Sequence, residues 1–274
     1  LFSLGNILHW SVAGERTKFE PLNRWSGLAL AAILAVLAID LVEALSPPVE
    51  ADTLAYHFTL PRQFVETGGV FFQPVAFSGA IPLLVHMTYA AAISLGQELG
   101  LTLWVFVTAW GTAILLFAVV RRWISDAWAI SLVLLFMTMP ATVYGGGTGQ
   151  VEVRLALFVI IAGVGLMELN AGKWWQPILL VGVGVGLFLG GKLTGVFFAT
   201  AIGIVFLTLP GPRIKRLTLF CVLTVIFGGQ WYAWNFVHTG DPLFPMLFDL
   251  VSRLDLARGD YWNAAHESIF REYL

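Results

Sequence analysis

Long apolar runs follow one another along this chain with so few charges between them that what is left could not cover a water-facing surface. Trp25–Leu45, Gly100–Val120, Ala127–Tyr144, Val153–Leu169, Pro177–Gly190, Gly195–Leu209 and Leu217–Phe236 are candidate membrane spans. A helix needs roughly 20 apolar residues to cross a hydrocarbon core of about 30 Å. An eighth run, Gly79–Leu95, is interrupted by Pro82 and His86. Charged residues make up 12% of the 274 residues, half the roughly 25% of an ordinary soluble domain. Lipid is therefore the natural solvent, and the expected fold is all-α: a polytopic transmembrane bundle of about seven or eight membrane segments.

The runs around Gly190-Gly191-Lys192 are short on both sides, so these two helices are expected to be half-spans, strongly tilted, or one kinked unit. Lys and Arg in short loops set orientation. Arg16, Lys18 and Arg24 precede the first run, Arg121 and Arg122 follow Gly100–Val120, Lys173 lies between two later runs, and Arg213, Lys215 and Arg216 precede the last. These mark one face as cytoplasmic and put loops 46–78, 145–152, 190–194 and 237–274 on the other. That scheme permits an odd number of crossings between residues 79 and 120, so 79–95, weakened as a span by Pro82 and His86, is expected to be a juxtamembrane or re-entrant segment on the outer face; the alternative puts Arg121 and Arg122 outside. The organisation expected is a preceding-helix tail or interfacial segment at 1–24, a helical module at 25–236, and an extracytoplasmic terminal segment at 237–274. Leu1–Trp10 follows no basic n-region and is not read as a signal peptide. Net charge of −2 argues against nucleic acid as a partner, and the single Cys221 excludes an intrachain disulfide.

The first outer loop gathers unusual residues: Asp52, Tyr56, His57 and Arg62 stand within one short stretch after a membrane helix. On an α-helix Asp52 and Tyr56 share a face at i,i+4 spacing, and an interfacial carboxylate among hydrogen-bonding neighbours can serve as a general base. A solvated loop with an aromatic interface anchor explains the same residues. Glu152 follows a Gly-rich entrance at 145–149, where the helix dipole favours a carboxylate for structural reasons alone. Asp40 and Glu43, in the last turns of the first run, are read as solvated at the interface. Asn235, His238 and Asp241 sit at and just past the end of the final run, where Asp241-Pro242 is a good turn initiator. Gly182, Gly184 and Gly186 read as close helix packing, and Trp174, Trp175, Trp231 and Trp234 as an aromatic belt.

Asp52-Thr53-Leu54-Ala55-Tyr56-His57-Phe58, then Pro61-Arg62 and Gly68-Gly69, resembles the first extracytoplasmic loop of the GT-C superfamily of membrane glycosyltransferases, which use polyprenyl-phosphate-linked sugars. Trp231-Tyr232-Ala233-Trp234-Asn235 with Thr239-Gly240-Asp241-Pro242-Leu243-Phe244-Pro245 is similar to the aromatic-Asn and Thr-Gly-Asn-Pro-x-x-Pro element of the same proteins, and Gly190-Gly191-Lys192-Leu193-Thr194 to their Gly-Leu-x-x-Lys-Thr turn. Asp241 stands where Asn is usual, and members are commonly longer. The resemblance implies that Asp52 is the base that deprotonates an acceptor hydroxyl, with Glu152 orienting the acceptor or a divalent cation beside it. Arg62, Lys192 and His57 would then offset charge on the leaving phosphate, and Tyr56, Asn235, His238 and Asp241 would line the substrate cavity. It also implies a bacterial inner membrane with the active face outward, membrane lipids and the polyprenyl-phosphate donor as partners, and no cofactor required beyond that possible cation. A non-catalytic GT-C-like scaffold subunit of a larger membrane complex is the alternative. A transporter fits less well, since its ionisable residues would sit at midplane. His9, His57, His86, His238 and His266 show no zinc-site spacing.

Overall fold

The computed structural model describes residues 19–73, 80–169 and 174–258. Expectations that fall on 1–18, 170–173 or 259–274, including Arg16, Lys18, Lys173, His9, His266 and the Leu1–Trp10 segment, lie outside the described residues. Among the described residues every regular element is helical: α1 (Arg24–Ala44), a π-helical turn (Thr53–His57), α2 (Thr59–Thr67), α3 (Leu84–Val120), α4 (Asp126–Thr138), α5 (Pro140–Gly147), α6 (Glu152–Met167), α7 (Gln176–Gly191), α8 (Gly195–Thr208), α9 (Arg213–Gly228), α10 (Gln230–Thr239) and α11 (Phe248–Arg253). With its apolar helices the chain is an integral membrane protein.

The first span starts where its sequence says it should. Asn23 caps α1 by accepting from the Ser26 N–H at 2.8 Å, while Ser26 Oγ accepts from the Asn23 N–H at 2.9 Å. These bonds satisfy two of the orphan donors that any helix N-terminus leaves. At that end of the bundle the polar groups pair among themselves. Arg121 Nε donates to Asp126 Oδ1 at 3.1 Å, and Arg122 Nη1 to Glu168 Oε1 at 3.3 Å. Glu20 and Asp126 exchange backbone-to-carboxylate bonds at 2.8 and 3.2 Å. Because α6 leaves this end at Glu168 and begins at Glu152, the Glu152 end of the bundle is the opposite one, and Glu50, Asp52 and Lys192 lie there with it.

The element α3 is not one straight span. Trp104 Nε1 donates to Thr88 Oγ1 at 3.0 Å, although sixteen residues of straight helix would separate these positions by about 24 Å. The chain doubles back at Gly96 (φ −145°) and Gln97 (φ 56°, ψ −148°), and a Cβ at Gly100 would lie 2.8 Å from the Ala92 carbonyl oxygen. The arms 84–95 and 98–120 form a hairpin packed around Val85, Tyr89, Ala92, Ile93, Leu101 and Val105. The shorter arm rests at the Glu152 end, where Tyr89 Oη donates to the Gly149 carbonyl.

Length decides how many helices can span alone. Among the described residues two elements, α1 and the folded-back α3, are long and apolar enough, and up to four count if each bent pair is one span: α4 with α5, bent by 70°, and α9 with α10, bent by 65°. The α6, α7 and α8 helices have 16, 16 and 14 residues, about 21–24 Å of helix. They fall short of a full crossing, so the seven or eight segments inferred from hydropathy include apolar helices of less than span length. The reason is in the breaks: Lys192 is extended at φ −158°, ψ 143° between α7 and α8, and Pro140 starts a new helix after Met139.

The most extensive packing sets α7 between α6 and α9, and the glycines do this. On α7, Gly182 and Gly186 face α9: a Cβ at Gly182 would lie 2.6 Å from Leu223 Cβ, and one at Gly186 2.8 Å from Phe227 Cβ. Gly184 faces the other way, 2.6 Å from the Phe158 carbonyl oxygen by the same measure. In lipid, association relies on close van der Waals contact rather than on expulsion of water. Gly186→Leu is therefore expected to separate α7 from α9 and cost about 1–3 kcal/mol, the usual range for overpacking. Thermal unfolding in detergent micelles would register this as a lowered midpoint, whereas an unchanged midpoint would mean that the two helices do not meet through Gly186.

Candidate functional site

The segment after α1 is seated on the Gly-rich segment before α6 through Gly149. Its N–H donates to Thr53 Oγ1 at 2.9 Å, and its carbonyl accepts from Tyr89 Oη at 3.2 Å. Both Thr53 and Tyr89 are fully buried. A Cβ at Gly149 would lie 2.7 Å from Phe58 Cε1, so the π-helical turn comes this close only because a glycine is there. Below it, the buried Arg154 donates to the carbonyls of Gly145 at 2.6 Å and Gln150 at 2.8 Å, to Thr108 Oγ1 at 3.1 Å, and to the Val105 carbonyl. A guanidinium offers five N–H groups in a fixed fork, and here they staple the 145–150 segment to α3. An Arg inside an apolar run was the sequence signal for this role.

On this support stand the groups that carry chemistry. Glu50 closes the loop: its carboxylate accepts from Tyr144 Oη at 2.6 Å and from the N–H groups of Asp52 at 3.0 Å and Thr53 at 2.6 Å. Burial alone would raise its pKa. The hydrogen bonds from Thr53, Tyr144 and the backbone outweigh burial and hold the carboxyl at about 2. Asp52, next along, is exposed and accepts from Gln150 Nε2 at 3.3 Å. The turn is π rather than α, with the Phe58 N–H reaching the Thr53 carbonyl at 2.9 Å, so Asp52 and Tyr56 are not stacked as on an ideal α-helix. Tyr56 nevertheless feels Asp52: burial first, then Asp52, Glu152 and Glu50, push its hydroxyl up to about 12.

Glu152, at the start of α6, pairs with Lys192 at the end of α7. Burial works against its ionisation, but the Lys192 hydrogen bond and charge prevail and lower its pKa. His57 is buried and stacks on the buried His86, ring centroids 5.0 Å apart, with Nδ1 2.8 Å from His86 Nε2. Burial holds His57 down at about 4 despite the opposing pull of Glu152, Gln150, Asp52 and Glu50. Asp52, Glu152, Tyr56 and His57 therefore belong to one electrostatic neighbourhood. A cavity of about 200 Å³ opens beside it, lined by Glu43, Ser46, Glu50, Thr53, Thr102 and Thr148 among others. Asp52 itself stands outside this lining, between Glu50 and Thr53, which are part of it. Among the described residues no group of three His, Cys, Asp or Glu side chains is placed to hold a metal ion.

The other candidates are held elsewhere. Arg62 pairs with Glu98 at 2.6 Å, both half-exposed, and so ties α2 to the tip of the α3 hairpin. Asn235 is buried and donates to the Ala80 carbonyl at 2.9 Å. His238 bonds the Trp234 carbonyl at 2.9 Å and stacks on Phe72 at 4.6 Å. Asp241 is fully buried, and its two oxygens accept from the N–H groups of Leu243 at 2.8 Å and Leu247 at 3.0 Å. A carboxylate fits there because both of its oxygens accept, although burial raises its pKa against those two bonds. Asp40, expected in interfacial water, is instead buried: Trp110 Nε1 donates to its Oδ2 at 3.2 Å, and Gly146 packs on it. Trp231 likewise leaves the expected aromatic belt to pack on Leu60, Phe64 and Leu83.

The folded pKa of Glu50 lies below its ordinary value. The stability it contributes is therefore complete above pH 4.5 and is lost as pH falls through about 2. In Glu50→Gln this part of the acid destabilisation should vanish. Unfolding midpoints measured from pH 6 down to about 2 would then fall less steeply than in the wild type, and equal slopes would remove Glu50 from this account.

No family model and no curated protein matches the chain. Solved structures do. It is similar to ArnT from Cupriavidus metallidurans in the apo state, at 17% identity and a TM-score of 0.59, over 82% of this chain and 43% of that one. The similarity to the same protein bound to undecaprenyl phosphate is 16% identity and a TM-score of 0.59, over 83% of this chain and 44% of that one. The match thus covers less than half the length of the ArnT structures, and what the chain shares with them over most of its own length is their helical fold.

Proposed function

We propose that this chain carries the catalytic part of a glycosyltransferase that moves a sugar from a polyprenyl-phosphate donor to an acceptor at the non-cytoplasmic face of a bacterial inner membrane. The observation that carries the reading is the exposed Asp52 carboxylate, fixed by Gln150 at the end of the bundle opposite Arg121 and Arg122, within a fold shared with a protein that binds undecaprenyl phosphate. Short basic loops favour the cytoplasm, which turns the Asp52 end outward.

In this reaction Asp52 takes the proton of an acceptor hydroxyl as its oxygen bonds to the anomeric carbon. The bond from that carbon to the phosphate oxygen breaks, and the phosphate leaves with the electron pair on the lipid carrier. One carboxylate suffices because a phosphate needs little protonation to leave, and attack from the opposite side inverts the anomeric centre. Lys192 supplies positive charge near the leaving group when its pairing with Glu152 is shared with the phosphate. Tyr56 and His57 border the same space, and Glu152 orients the acceptor. Asn235, His238 and Asp241 act by fixing α10 and the turn after it, and Arg62 by holding α2 to the hairpin.

The scaffold reading has its own support: Lys192 and Arg62 are both engaged with carboxylates. Sugar transfer assayed in membranes with a labelled polyprenyl-phosphate sugar separates the two. Asp52→Asn should reduce transfer by about a hundredfold or more, as expected for loss of a general base, with helical content unchanged. Transfer insensitive to Asp52, in a chain that copurifies with other membrane subunits, would favour the scaffold.

A further inference from the structure

One end of α9 carries positive charge that the chain does not answer. Arg213, Lys215 and Arg216 stand in its first turn, which holds no acidic residue. The helix dipole is positive there and favours carboxylates, so three cations sit where the backbone's own field opposes them. Among the described residues the ion pairs are Arg62 with Glu98, Arg121 with Asp126, Arg122 with Glu168 and Lys192 with Glu152. None of them reaches this patch.

The turn before α9 holds two of these charges side by side. Arg213 Nε donates to the Leu209 carbonyl at 2.9 Å, and Arg216 Nη1 to the next carbonyl, that of Pro210, at 2.8 Å. The Arg216 guanidinium packs on Gly211, whose φ of 100° suits a residue without a side chain. Arg216 Nε is buried and has no hydrogen-bond partner. Each guanidinium thus gives one N–H to a neutral carbonyl, out of five, and no negative charge offsets either. Arg213 is exposed, so its two Nη groups are open to a ligand.

Position tells which anion fits. Gly182 of α7 meets Leu223 of α9, and Gly186 meets Phe227, so the two helices run parallel. The same register puts Lys215 and Arg216 level with Trp174 and Trp175, both exposed as indoles at a membrane interface are. Lys192, at the far end of α7, pairs with Glu152, so α7 and α9 both begin at the end where Arg122 meets Glu168. Ile214, between the basic residues, is 70% exposed. A free phosphate has no use for an exposed Ile beside two Trp. A phospholipid, with its charge at the headgroup and its chains beneath, matches both.

We infer that the turn 209–216 binds the phosphate of an anionic phospholipid, at the end of the bundle opposite Asp52. Arg213 and Arg216 take its oxygens in charge-assisted hydrogen bonds, Lys215 adds charge, and Ile214 lies against the acyl chains. The site draws nothing from the reading of Asp52 as a base.

The full chain in nanodiscs of phosphatidylcholine and phosphatidylglycerol in equal parts tests this, with native mass spectrometry counting the lipids that stay bound. The wild type should retain phosphatidylglycerol in preference. Arg213→Gln should reduce that preference by about tenfold, the worth of one hydrogen bond to a charged group. Arg24→Gln removes an exposed charge at the same end, on α1, and should leave the preference nearly unchanged. Lys215→Gln, whose side chain bonds to nothing among the described residues, should act in the same direction as Arg213→Gln without disturbing the turn. Equal retention of the two lipids by the wild type would overturn the site. So would equal losses in Arg24→Gln and Arg213→Gln, which would leave only diffuse surface charge. In discs of phosphatidylcholine alone, inorganic phosphate should not raise the unfolding midpoint as phosphatidylglycerol does, and equal stabilisation would mark a site for a free anion instead.

Discussion

The grip on Gly149 organises this end of the molecule. One peptide unit gives its N–H to Thr53 and receives a hydrogen bond from Tyr89, so three separate parts of the chain meet at a point with both polar groups satisfied. In a membrane protein this matters more than it would in water, because a backbone group left unpaired at depth has no solvent to turn to. The Arg154 staple extends the principle, using one buried cation to satisfy carbonyls of the 145–150 segment and α3. The result is a rigid shelf from which Glu50, Asp52, Gln150 and Glu152 project.

Charge on that shelf is graded rather than uniform. Glu50 is locked in its ionised form by neighbouring donors, and Glu152 is neutralised by Lys192. Asp52 has one amide donor and open surroundings. In the proposed reaction its second oxygen receives the proton of the incoming hydroxyl, the geometric requirement placed on a base. The others set the field around it, and the bundle supplies the depth at which that field is strong.

Much of the fold was legible because lipid imposes a simple code. Apolar runs gave the helices, and the run interrupted by Pro82 and His86 is set apart from the one that follows it, as the short arm of the α3 hairpin. The glycines of α7 also behaved as their spacing suggested. What escaped were long-range pairings without local signature. Nothing near Asp40 indicates that Trp110, seventy positions away, would bury it. His86 looked like an interruption of an apolar run and proved to be the partner of His57. Gln150 carries no local signal, because an amide beside a Gly-rich turn is unremarkable until a carboxylate stands opposite it. Helix length was overestimated where hydropathy continues across a backbone break, as at Met139-Pro140 and at Gly228-Gly229. The ArnT likeness supplies the fold in which these pieces sit, while the placement of each side chain comes from the contacts themselves.

Everything turns on the side of the membrane from which Asp52 is reached. In a Cys221→Ser background, Asp52→Cys and Arg122→Cys, each introduced singly, should answer a membrane-impermeant maleimide differently in intact cells. The account requires labelling of the first without permeabilisation and of the second only after it. Labelling of Asp52→Cys only in permeabilised cells would place the shelf in the cytoplasm and contradict the account at its root.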